Sequence, residues 1–391
     1  MHIVHLVSDE KFISFISEIF ASIPGITNSY LIAVPDVKQP LKYLKKLESK
    51  VVVDKHTITQ IPAVYHTHDA IIIHYLDILK IKIINHLTTS APIVWSGWGA
   101  DYYETFTPLK MDILGPETQA LDASIKAKRS LLAKVRDQLR ALKIQFIDEP
   151  ALIKFSKKIK YFSAPIPNDI DIIKNILPLR TEYLQINYGS VEKTFNIGPT
   201  ITSGSDILVG NSASASNNHL EIFKALSHLD LGSRRTIVPL SYGDQIYRDY
   251  VIEAGKKILG RRFVPLVDFM PLEAYNTLIS NCSLVVMGHR RQQAVGNIAT
   301  MLYKGARVFL DQSTTTYNFL KSRGAIIYRL EDMDEARTNA ALLQPLTQDA
   351  QLTNIRIITE LWSQQRVNEN VRQLVARLQT QDLVKPDVHG E

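Results

Sequence analysis

The sequence predicts an α/β protein of two doubly wound domains, each a parallel sheet with helices on both faces. Short apolar segments typical of buried strands alternate with amphipathic segments typical of helices, and few residues separate them. The 391 residues are too many for one ordinary hydrophobic core. Residues 195–206, FNIGPTITSGSD, are rich in Gly, Pro, Ser and Thr and have no hydrophobic period, which is typical of a linker. We therefore expect two domains with a cleft between them.

The alternation of strands and helices is clearest in the second half of the chain. The predicted strands there are residues 206–210, 236–240, 262–266, 283–287 and 307–310, and the predicted helices are 218–227, 244–259, 272–280 and 296–303. The first half gives strands at 3–7, 30–34, 51–53, 70–74 and 93–95, with 161–164 as a further candidate. These segments predict domains at 1–194 and 206–359, a linker at 195–205, and a C-terminal segment, 360–391, whose helix packs at the domain junction.

Composition narrows the class of protein. With 45% hydrophobic and 21% charged residues, the chain is expected to be globular rather than disordered. It lacks an apolar run of the ~18 residues that a membrane-spanning helix needs. The N-terminus reaches acidic residues at once and lacks the layout of a signal peptide. The single cysteine, Cys282, stands among apolar residues and is expected to be buried, which fits a reducing cytoplasm.

Residues 285–310, VVMGHRRQQAVGNIATMLYKGARVFL, point most directly to a ligand. A strand runs into a turn that carries Arg290 and Arg291, and Gly296 then begins an apolar helix. A glycine lets a ligand approach the backbone, and the free N–H groups and dipole of a helix start attract phosphate. An α/β domain holds a nucleotide diphosphate in this way, outside the carboxyl ends of its strands. The alternative is a solvated basic loop without a ligand.

The loop after the strand at 206–210 carries polar groups at the same predicted sheet edge. Gly210 permits a tight turn beneath a ligand, and Asn211 and Ser212 follow it. Asn217 or Asn218 can cap the next helix. A capped loop without a ligand is the alternative interpretation.

Tyr242 follows the next strand along the chain, again just beyond its carboxyl end. A tyrosine there could stack on a base or sugar, although a half-buried structural tyrosine is equally ordinary. Three successive loops with polar groups on one edge favour a single site over three unrelated features. The candidate donor-binding residues are Gly210, Asn211, Ser212, Tyr242, Arg291, Gln292, Gln293 and Gly296.

In the first domain the most informative segment is residues 93–104, IVWSGWGADYYE. A buried strand ends near Trp95, and a turn through Trp98 and Gly99 leads into a helix. Indole rings pack well on the C–H face of a sugar, so Trp98 and Gly99 are candidate acceptor-binding residues. Asp101 could cap the helix or take a proton from an acceptor hydroxyl. Spacing alone favours the cap.

His74 closes the apolar strand AIIIH at the same carboxyl edge. A histidine in this position is usually structural, but a catalytic base that faces the cleft is the alternative, so His74 joins Asp101 as a candidate catalytic residue. His66 and His68 are weaker candidates.

Residues 122–143 form a basic amphipathic helix in the prediction. Its apolar residues recur at three- and four-residue spacing, and its cations are Lys126, Lys128, Arg129, Lys134, Arg136, Arg140 and Lys143. Such a helix can lie on an anionic membrane surface or pack its apolar stripe on its own domain, since both need the same stripe. A nucleic-acid partner is not expected, because no zinc-ligand spacing or stacking-aromatic motif accompanies the basic residues.

Two doubly wound domains joined by a linker suggest a nucleotide-sugar glycosyltransferase of the B type (GT-B), with the nucleotide on the second domain and the acceptor on the first. Four motifs occur in the order WGADYYE, ILVGNS with SNNH, IVPLSY and RQQAVG. As a set they resemble the bacterial TDP-Fuc4NAc:lipid II Fuc4NAc transferases, glycosyltransferase family 56, from about residue 74 to about residue 310. By this resemblance the family's motifs fall on Trp98, Gly99, Ala100 and Asp101, on Gly210, Asn211 and Ser212, on Tyr242, and on Arg291, Gln292, Gln293 and Gly296.

The resemblance implies a peripheral enzyme at the cytoplasmic face of the bacterial inner membrane. It implies a dTDP-activated deoxyamino sugar as donor and a polyprenyl-diphosphate-linked glycan as acceptor, in assembly of the enterobacterial common antigen kind. An acceptor held in the bilayer favours membrane association of the basic helix. No cofactor is implied.

Two D-x-D patterns, Asp169 with Asp171 and Asp332 with Asp334, match the ligand pair by which other glycosyltransferases hold a divalent cation. The first pattern begins an apolar helix, so first-turn acids explain it. We therefore expect no metal site, because arginine, glutamine and a helix N-terminus can carry the leaving diphosphate.

The mechanism that follows places the donor diphosphate at Arg291 and the Gly296 helix start, and the acceptor sugar against Trp98 and Asp101. An inverting reaction needs Asp101 or His74 as base, whereas a retaining one can use the departing phosphate. A nucleotide-sugar-binding protein without catalysis, and a nucleotide-sugar epimerase, are the rival functions. An epimerase would need acids and histidines from the second domain, where His219 and His289 stand among amides and arginines.

Overall fold

The structure is a computed structural model that describes residues 1–103, 112–195, 201–202 and 204–381. The chain forms two compact units. The first unit comprises Met1–Lys110, Arg140–Gly189 and Gln364–Glu391, and the second comprises Met111–Leu139 and Ser190–Ser363.

Strands and helices alternate along the chain, as the sequence predicts. The strands are β1 His2–Val7, β2 Thr27–Ala33, β3 Lys50–Val53, β4 Ala70–His74, β5 Ile93–Ser96, β6 Ile159–Ser163, β7 Glu182–Tyr183, β8 Asp206–Val209, β9 Thr236–Pro239, β10 Phe263–Leu266, β11 Cys282–Met287, β12 Arg307–Leu310 and β13 Tyr328–Arg329. The helices are α1 Lys11–Ala21, α2 Ile78–Leu87, α3 Ala100–Tyr103, α4 Pro116–Ala127, α5 Leu131–Lys143, α6 Glu149–Ser156, α7 Asp169–Ile176, α8 Val191–Phe195, α9 His219–Ser227, α10 Gln245–Leu259, α11 Leu272–Ile279, α12 Val295–Tyr303, α13 Thr315–Ser322, α14 Asp332–Glu335, α15 Gln348–Trp362 and α16 Gln364–Gln381.

The first unit is built on a parallel sheet of seven strands in the order β3-β2-β1-β4-β5-β6-β7. Most residues of its central strands are apolar and buried, because helices cover both faces of the sheet. Along β1, Ile3 and Val7 belong to one core layer and Val4 and Leu6 to the other. The strand order reverses between β1 and β4, which is where an open α/β sheet binds ligands outside the carboxyl ends of its strands.

The second unit repeats this plan with six parallel strands in the order β10-β9-β8-β11-β12-β13. Its reversal point lies between β8 and β11, whose register pairs Val285 with Leu208 and Val286 with Val209. The predicted doubly wound α/β fold is therefore confirmed in both units. The two-residue strands β7 and β13 were not predicted, because they are too short to show a period.

The division into units differs from the predicted one at residues 111–139. This segment groups with the second unit, since α4 packs on α9. The backbone N–H of Gly115 donates to Asn218 Oδ1 at 2.8 Å, and the Thr118 hydroxyl donates to Glu221 Oε2 at 2.6 Å. The hydrogen-bond partners lie a hundred residues further along the chain, beyond the reach of local patterns.

The C-terminal segment, predicted as one helix within 360–391, is covered by two helices. Residues 348–362 form α15, which packs on α12 in the second unit. α16 returns to the first unit, where Val367, Val371 and Leu374 are fully buried in its core. Part of the predicted linker, residues 196–200 and 203, lies outside the described part of the chain. Within the linker, the backbone N–H of Thr202 donates to the Lys304 carbonyl.

The predicted basic helix at 122–143 is two helices, α4 and α5, separated at residues 128–130. In α5 every residue except Ala133 is exposed, including the apolar ones. No helix in the described part of the chain is both long and apolar enough to cross a bilayer.

Candidate functional site

The second unit places Gly210 at the carboxyl end of β8, at the point where the strand order reverses. Its φ is +65°, a left-handed conformation that favours glycine. A Cβ at this position would lie 2.8 Å from Asn217 Oδ1 and 2.9 Å from His219 Nε2. The sequence therefore needs glycine here for both backbone conformation and space, as the motif predicted.

Asn211 joins the loops that follow three neighbouring strands. Its Nδ2 donates to the Tyr242 hydroxyl at 3.1 Å, and its Oδ1 accepts from Gln293 Nε2 at 3.1 Å. The Ser216 hydroxyl donates to Gln293 Oε1 at 2.7 Å. The predicted convergence of three polar loops is thus present as direct hydrogen bonds, which gives the candidate donor site a fixed framework.

Two residues of this framework, Asn217 and His289, were missed as members of the predicted site. His289 Nε2 lies 3.2 Å from Asn211 Oδ1 and 2.9 Å from Asn217 Oδ1. Both partners are amide oxygens, so Nε2 carries the proton and donates. Burial and the neighbouring charge of Arg291 lower the pKa of His289 well below its ordinary value, which keeps the ring neutral. A histidine directly after a glycine that ends a strand, Gly288-His289, was the available signal.

Asn218, predicted above as a possible helix cap, holds the turn after β11. It has a positive φ of 52°, and its Nδ2 donates to the Gly288 carbonyl at 2.7 Å and to the Ile113 carbonyl at 3.0 Å. This residue therefore fixes the backbone next to His289.

Arg291 and Gln292 are buried rather than exposed at the loop surface. Arg291 Nη1 donates to the Gln292 carbonyl at 2.8 Å, and its side chain lines a small cavity with His289, Gln293 and Thr314. Arg290 is the other cation of this turn, and its Nε lies 3.6 Å from Asp311 Oδ2. The Arg291 charge therefore lies beneath the loop surface, whereas the Arg290 side chain is partly exposed.

The helix that was predicted to begin at Gly296 begins at Val295, after Ala294 with a φ of +56°. A Cβ on Gly296 would meet no heavy atom of the described residues within 4 Å. The first turn of α12 is therefore open to approach, and first-turn N–H groups have no partner inside their helix. This is the arrangement that a phosphate needs.

In the first unit, Asp101 does not have the position that a catalytic base requires. Its side chain is fully buried. Oδ2 accepts from the Leu76 backbone N–H at 3.0 Å and from Trp95 Nε1 at 2.9 Å, and Oδ1 accepts from the Trp98 backbone N–H at 2.8 Å. Burial raises the pKa of this carboxyl, and the hydrogen bonds oppose the shift. The geometry corrects the predicted role, because the carboxylate ties the Trp98 turn to the loop after β4.

His74 is likewise buried and engaged on both ring nitrogens. Nε2 lies 3.1 Å from His5 Nδ1, and Nδ1 lies 2.7 Å from the Tyr188 hydroxyl. His5 continues the chain of hydrogen bonds to Asn28 Oδ1 at 3.0 Å. Burial, then the neighbouring His5, lowers the pKa of His74 well below its ordinary value. His74 is therefore a structural histidine rather than the predicted catalytic base.

The weaker candidates His66 and His68 precede β4 and so lie at the amino edge of its parallel sheet, opposite to His74. His68 contacts the Tyr65 carbonyl and the Thr89 hydroxyl. Neither histidine is placed with Trp98 or Asp101.

The buried histidines predict a loss of stability in mild acid. Burial lowers the pKa of His5 from 6.5 to about 4, so the unfolded chain binds a proton that the folded chain does not. Stability is then lost as the pH falls from 6.5 toward 4, by about 2 kcal/mol at pH 5 from His5 alone. Urea unfolding at pH 7 and pH 5 measures this difference. An equal free energy of unfolding at both values would contradict the burial of these rings.

Trp98 and Gly99 lie at the carboxyl edge of the first sheet. Gly99 has a φ of +97°. The Trp98 ring meets Phe12, Tyr75 and Tyr188 edge-on, with centroids 6.1, 5.8 and 4.9 Å away. The predicted acceptor platform is thus one ring of an aromatic group that also includes the partly exposed Phe12.

The first D-x-D pattern has a structural explanation. Asp169 is fully buried and accepts hydrogen bonds from the hydroxyls of Tyr102 and Tyr103 in α3. Over the described residues, no group of three or more His, Cys, Asp or Glu side chains is arranged to hold a metal ion. Metal-independent transfer stays a prediction.

Comparison with known families assigns the reaction class. Residues 190–364, just under half of the chain, match the family of 4-alpha-L-fucosyltransferases, glycosyl transferase group 56. The matched span contains the whole framework around Asn211. The chain is a glycosyltransferase. The family that the motifs predicted is thereby confirmed for this span.

Solved structures confirm the GT-B fold. A sucrose-phosphate synthase from Thermosynechococcus elongatus matches with a TM-score of 0.62 at 8% identity, covering 97% of this chain and 100% of that one. The lipopolysaccharide outer core galactosyltransferase WaaB matches with a TM-score of 0.61 at 9% identity, covering 96% and 99%. Anabaena Alr3699/HepE, solved with UDP and glucose, matches with a TM-score of 0.60 at 11% identity, covering 96% and 100%.

Proposed function

We propose that this glycosyltransferase moves a deoxyamino sugar of the Fuc4NAc kind from a dTDP-sugar to a hydroxyl of a polyprenyl-diphosphate-linked glycan. The observation that carries the donor part is the framework around Asn211, which stands at the strand-order reversal of the unit that matches group 56. Structures of HepE with UDP and with UDP-glucose support a nucleotide-sugar donor on this fold. The motif resemblance supports the sugar, the dTDP carrier and the acceptor.

The donor diphosphate is proposed to lie at the open first turn of α12, with Arg291 beneath it. The dipole and N–H groups of that turn, and the buried guanidinium, would stabilise the negative charge that develops on the leaving nucleoside diphosphate. This placement uses the backbone opening at Gly296, where added volume would meet no described atom.

Two exposed aromatic residues are proposed to hold the nucleobase. Tyr242, after β9, is 61% exposed, and Phe269, after β10, is 88% exposed. Both follow strands on one side of the reversal point, so they lie along the carboxyl edge that carries Asn211. Exposed aromatic faces at a binding edge stack on flat rings. Phe269 was missed because its exposure cannot be read from the sequence.

The proposed location is the cytoplasmic face of the bacterial inner membrane, with α5 as the membrane contact. Leu132 is 84% exposed and Leu139 is 62% exposed, and Val135 and Leu142 share their helical face. Arg136 and Lys143 flank that face at helical spacing. An exposed apolar stripe bordered by cations suits an anionic lipid surface.

A double substitution tests this contact. Leu132→Ser with Leu139→Ser is expected to reduce binding to phosphatidylglycerol vesicles at least about tenfold, because full burial of each leucine contributes about 1.5–3 kcal/mol. Vesicle co-sedimentation at low salt measures it. Leu352→Ser, at a 52% exposed leucine on α15, is the matched control and should bind as the wild type does. Equal binding of all three proteins would refute the role of α5.

The function itself is tested by transfer assays without added metal. The donors are dTDP-Fuc4NAc, other dTDP-sugars and UDP-sugars, and the acceptor is a polyprenyl-diphosphate disaccharide. Transfer from dTDP-Fuc4NAc in preference to the UDP-sugars supports the proposal. Thermal stabilisation by dTDP without turnover would favour the rival binding protein, and stabilisation by no nucleotide would overturn the donor site.

A further inference from the structure

The acceptor hydroxyl needs a proton acceptor in an inverting transfer, and neither Asp101 nor His74 has a free position for it. The first unit has its own strand-order reversal, between β1 and β4. Ser8, Asp9 and Glu10 follow β1 there, and Tyr75 and Asp77 follow β4.

A buried lysine ties these two loops together. Lys80 is fully buried, and its Nζ donates to the Ser8 hydroxyl at 2.7 Å, to the Tyr75 carbonyl at 2.8 Å and to Asp77 Oδ2 at 2.8 Å. Tyr75 adopts a φ of +65°, which turns the backbone sharply at the end of β4. The lysine therefore fixes the edge on which the acidic residues stand.

The three acids at this edge differ in what they bind. Asp9 accepts backbone N–H groups of Lys42, Tyr43 and Leu44, at 2.5, 3.0 and 2.9 Å. Asp77 caps α2 and pairs with Lys80. Glu10 is half-buried, and its carboxylate takes part in no hydrogen bond with any residue in the described ranges. Of these three acids, and with respect to the described residues, only Glu10 has carboxylate oxygens without a hydrogen bond.

We propose that Glu10 is the general base of the transfer reaction. The inference rests on the proposed function. The Glu10 carboxylate takes the proton of the acceptor hydroxyl while that oxygen forms a bond to the anomeric carbon of the donor sugar. The bond from the anomeric carbon to the phosphate oxygen breaks, and its electron pair leaves with the nucleoside diphosphate. The product has inverted anomeric configuration.

The surroundings of Glu10 suit this role. Burial, then the negative charge of Asp9, raises the pKa of the Glu10 carboxyl, and the charges of Lys11, Lys80 and Lys42 oppose the shift. A base whose pKa approaches the working pH is more effective. Phe12 stands two residues away in the first turn of α1 and packs edge-on against Trp98, so the same sheet edge offers aromatic rings for a sugar face.

The test compares Glu10→Gln with Glu18→Gln, a substitution on an exposed position of the same helix. With dTDP-Fuc4NAc and the polyprenyl-diphosphate disaccharide, Glu10→Gln is expected to lower kcat about 10²–10⁴-fold. The dTDP affinity of Glu10→Gln should equal that of the wild type. Glu18→Gln should keep both the kcat and the dTDP affinity of the wild type. In the wild type, kcat/KM should fall toward acid pH at a pH above that at which an ordinary glutamate is protonated. This fall should be absent in Glu10→Gln.

Full transfer activity in Glu10→Gln, or a product with retained configuration, would overturn the inference while leaving the proposed function intact. A wild-type protein that binds dTDP yet transfers no sugar to the disaccharide would overturn the proposed function, and the base assignment with it. A circular dichroism melt of both variants separates a lost base from a lost fold.

Discussion

Gly210→Ala is expected to weaken nucleotide binding to the second unit at least about tenfold. The backbone at Gly210 has a φ of +65°, so a side chain costs about 1–2 kcal/mol in strain. The added Cβ also crowds Asn217 Oδ1 and His219 Nε2 at 2.8 and 2.9 Å. Asn217 Oδ1 in turn accepts the Asn211 backbone N–H at 2.9 Å, so displacing it disturbs the residue that joins the three loops.

Gly232→Ala is the matched control for this substitution. Gly232 also has a positive φ, 54°, but its Cβ would meet no described heavy atom within 4 Å. The two variants thus share backbone strain and differ in crowding. Isothermal titration with dTDP should show at least a tenfold weaker affinity for Gly210→Ala, or about 1.4 kcal/mol, and an unchanged affinity for Gly232→Ala. Equal affinities in the two variants would show that the Asn211 framework does not bind the donor.

The donor framework could be predicted because its parts are local signals on neighbouring strands. Gly210, Tyr242 and Arg291 each follow an apolar run, and parallel strands bring their carboxyl ends to one edge. The period of buried strands and the short connections predicted both sheets. The sequence does not show how deeply each side chain is buried, so the burial of Arg291 could not be predicted from it.

The first-unit site was harder to predict because its chemistry depends on distant partners. Asp101 looks like a cap or a base from its own neighbours, yet its oxygens are occupied by Leu76 and Trp95 groups from two other strand ends. Glu10 could not be predicted as a site residue, because an acid between Asp9 and Lys11 is typical of a solvated loop. Only the folded structure distinguishes Glu10 from Asp9 and Asp77, whose carboxylates are engaged by neighbouring groups.

The grouping of α4 with the second unit could not be predicted for the same reason, because its partners are distant in the sequence. Thr118 and Glu117 meet Glu221 and Lys224, more than a hundred residues away. The short loop signals that predict a linker at 195–205 give no warning that the chain enters the second unit earlier. A periodic pattern identifies a helix and its apolar face, but it does not identify the surface against which that face packs.

Asp101→Asn is expected to destabilise the first unit rather than remove a base. The asparagine amide would turn an N–H₂ group toward donors that now share the carboxylate, the Leu76 backbone N–H, Trp95 Nε1 and the Trp98 backbone N–H. Leaving buried donors without an acceptor costs about 1–3 kcal/mol each, so a loss of about 2–4 kcal/mol in the free energy of unfolding is expected. Urea unfolding of the whole protein measures it.

Asp171→Asn supplies the control, since Asp171 is an exposed aspartate of the same unit. It should unfold as the wild type does. At temperatures where Asp101→Asn is still folded, its dTDP affinity and the acid limb of its pH profile should be preserved, because Glu10 and the second unit are untouched. If Asp101→Asn instead keeps the wild-type stability and loses that acid limb, then Asp101 is the base. Its buried carboxylate would then have to become accessible during the reaction. The two carboxylates therefore make opposite predictions in one pair of measurements, one affecting the fold and the other affecting proton transfer.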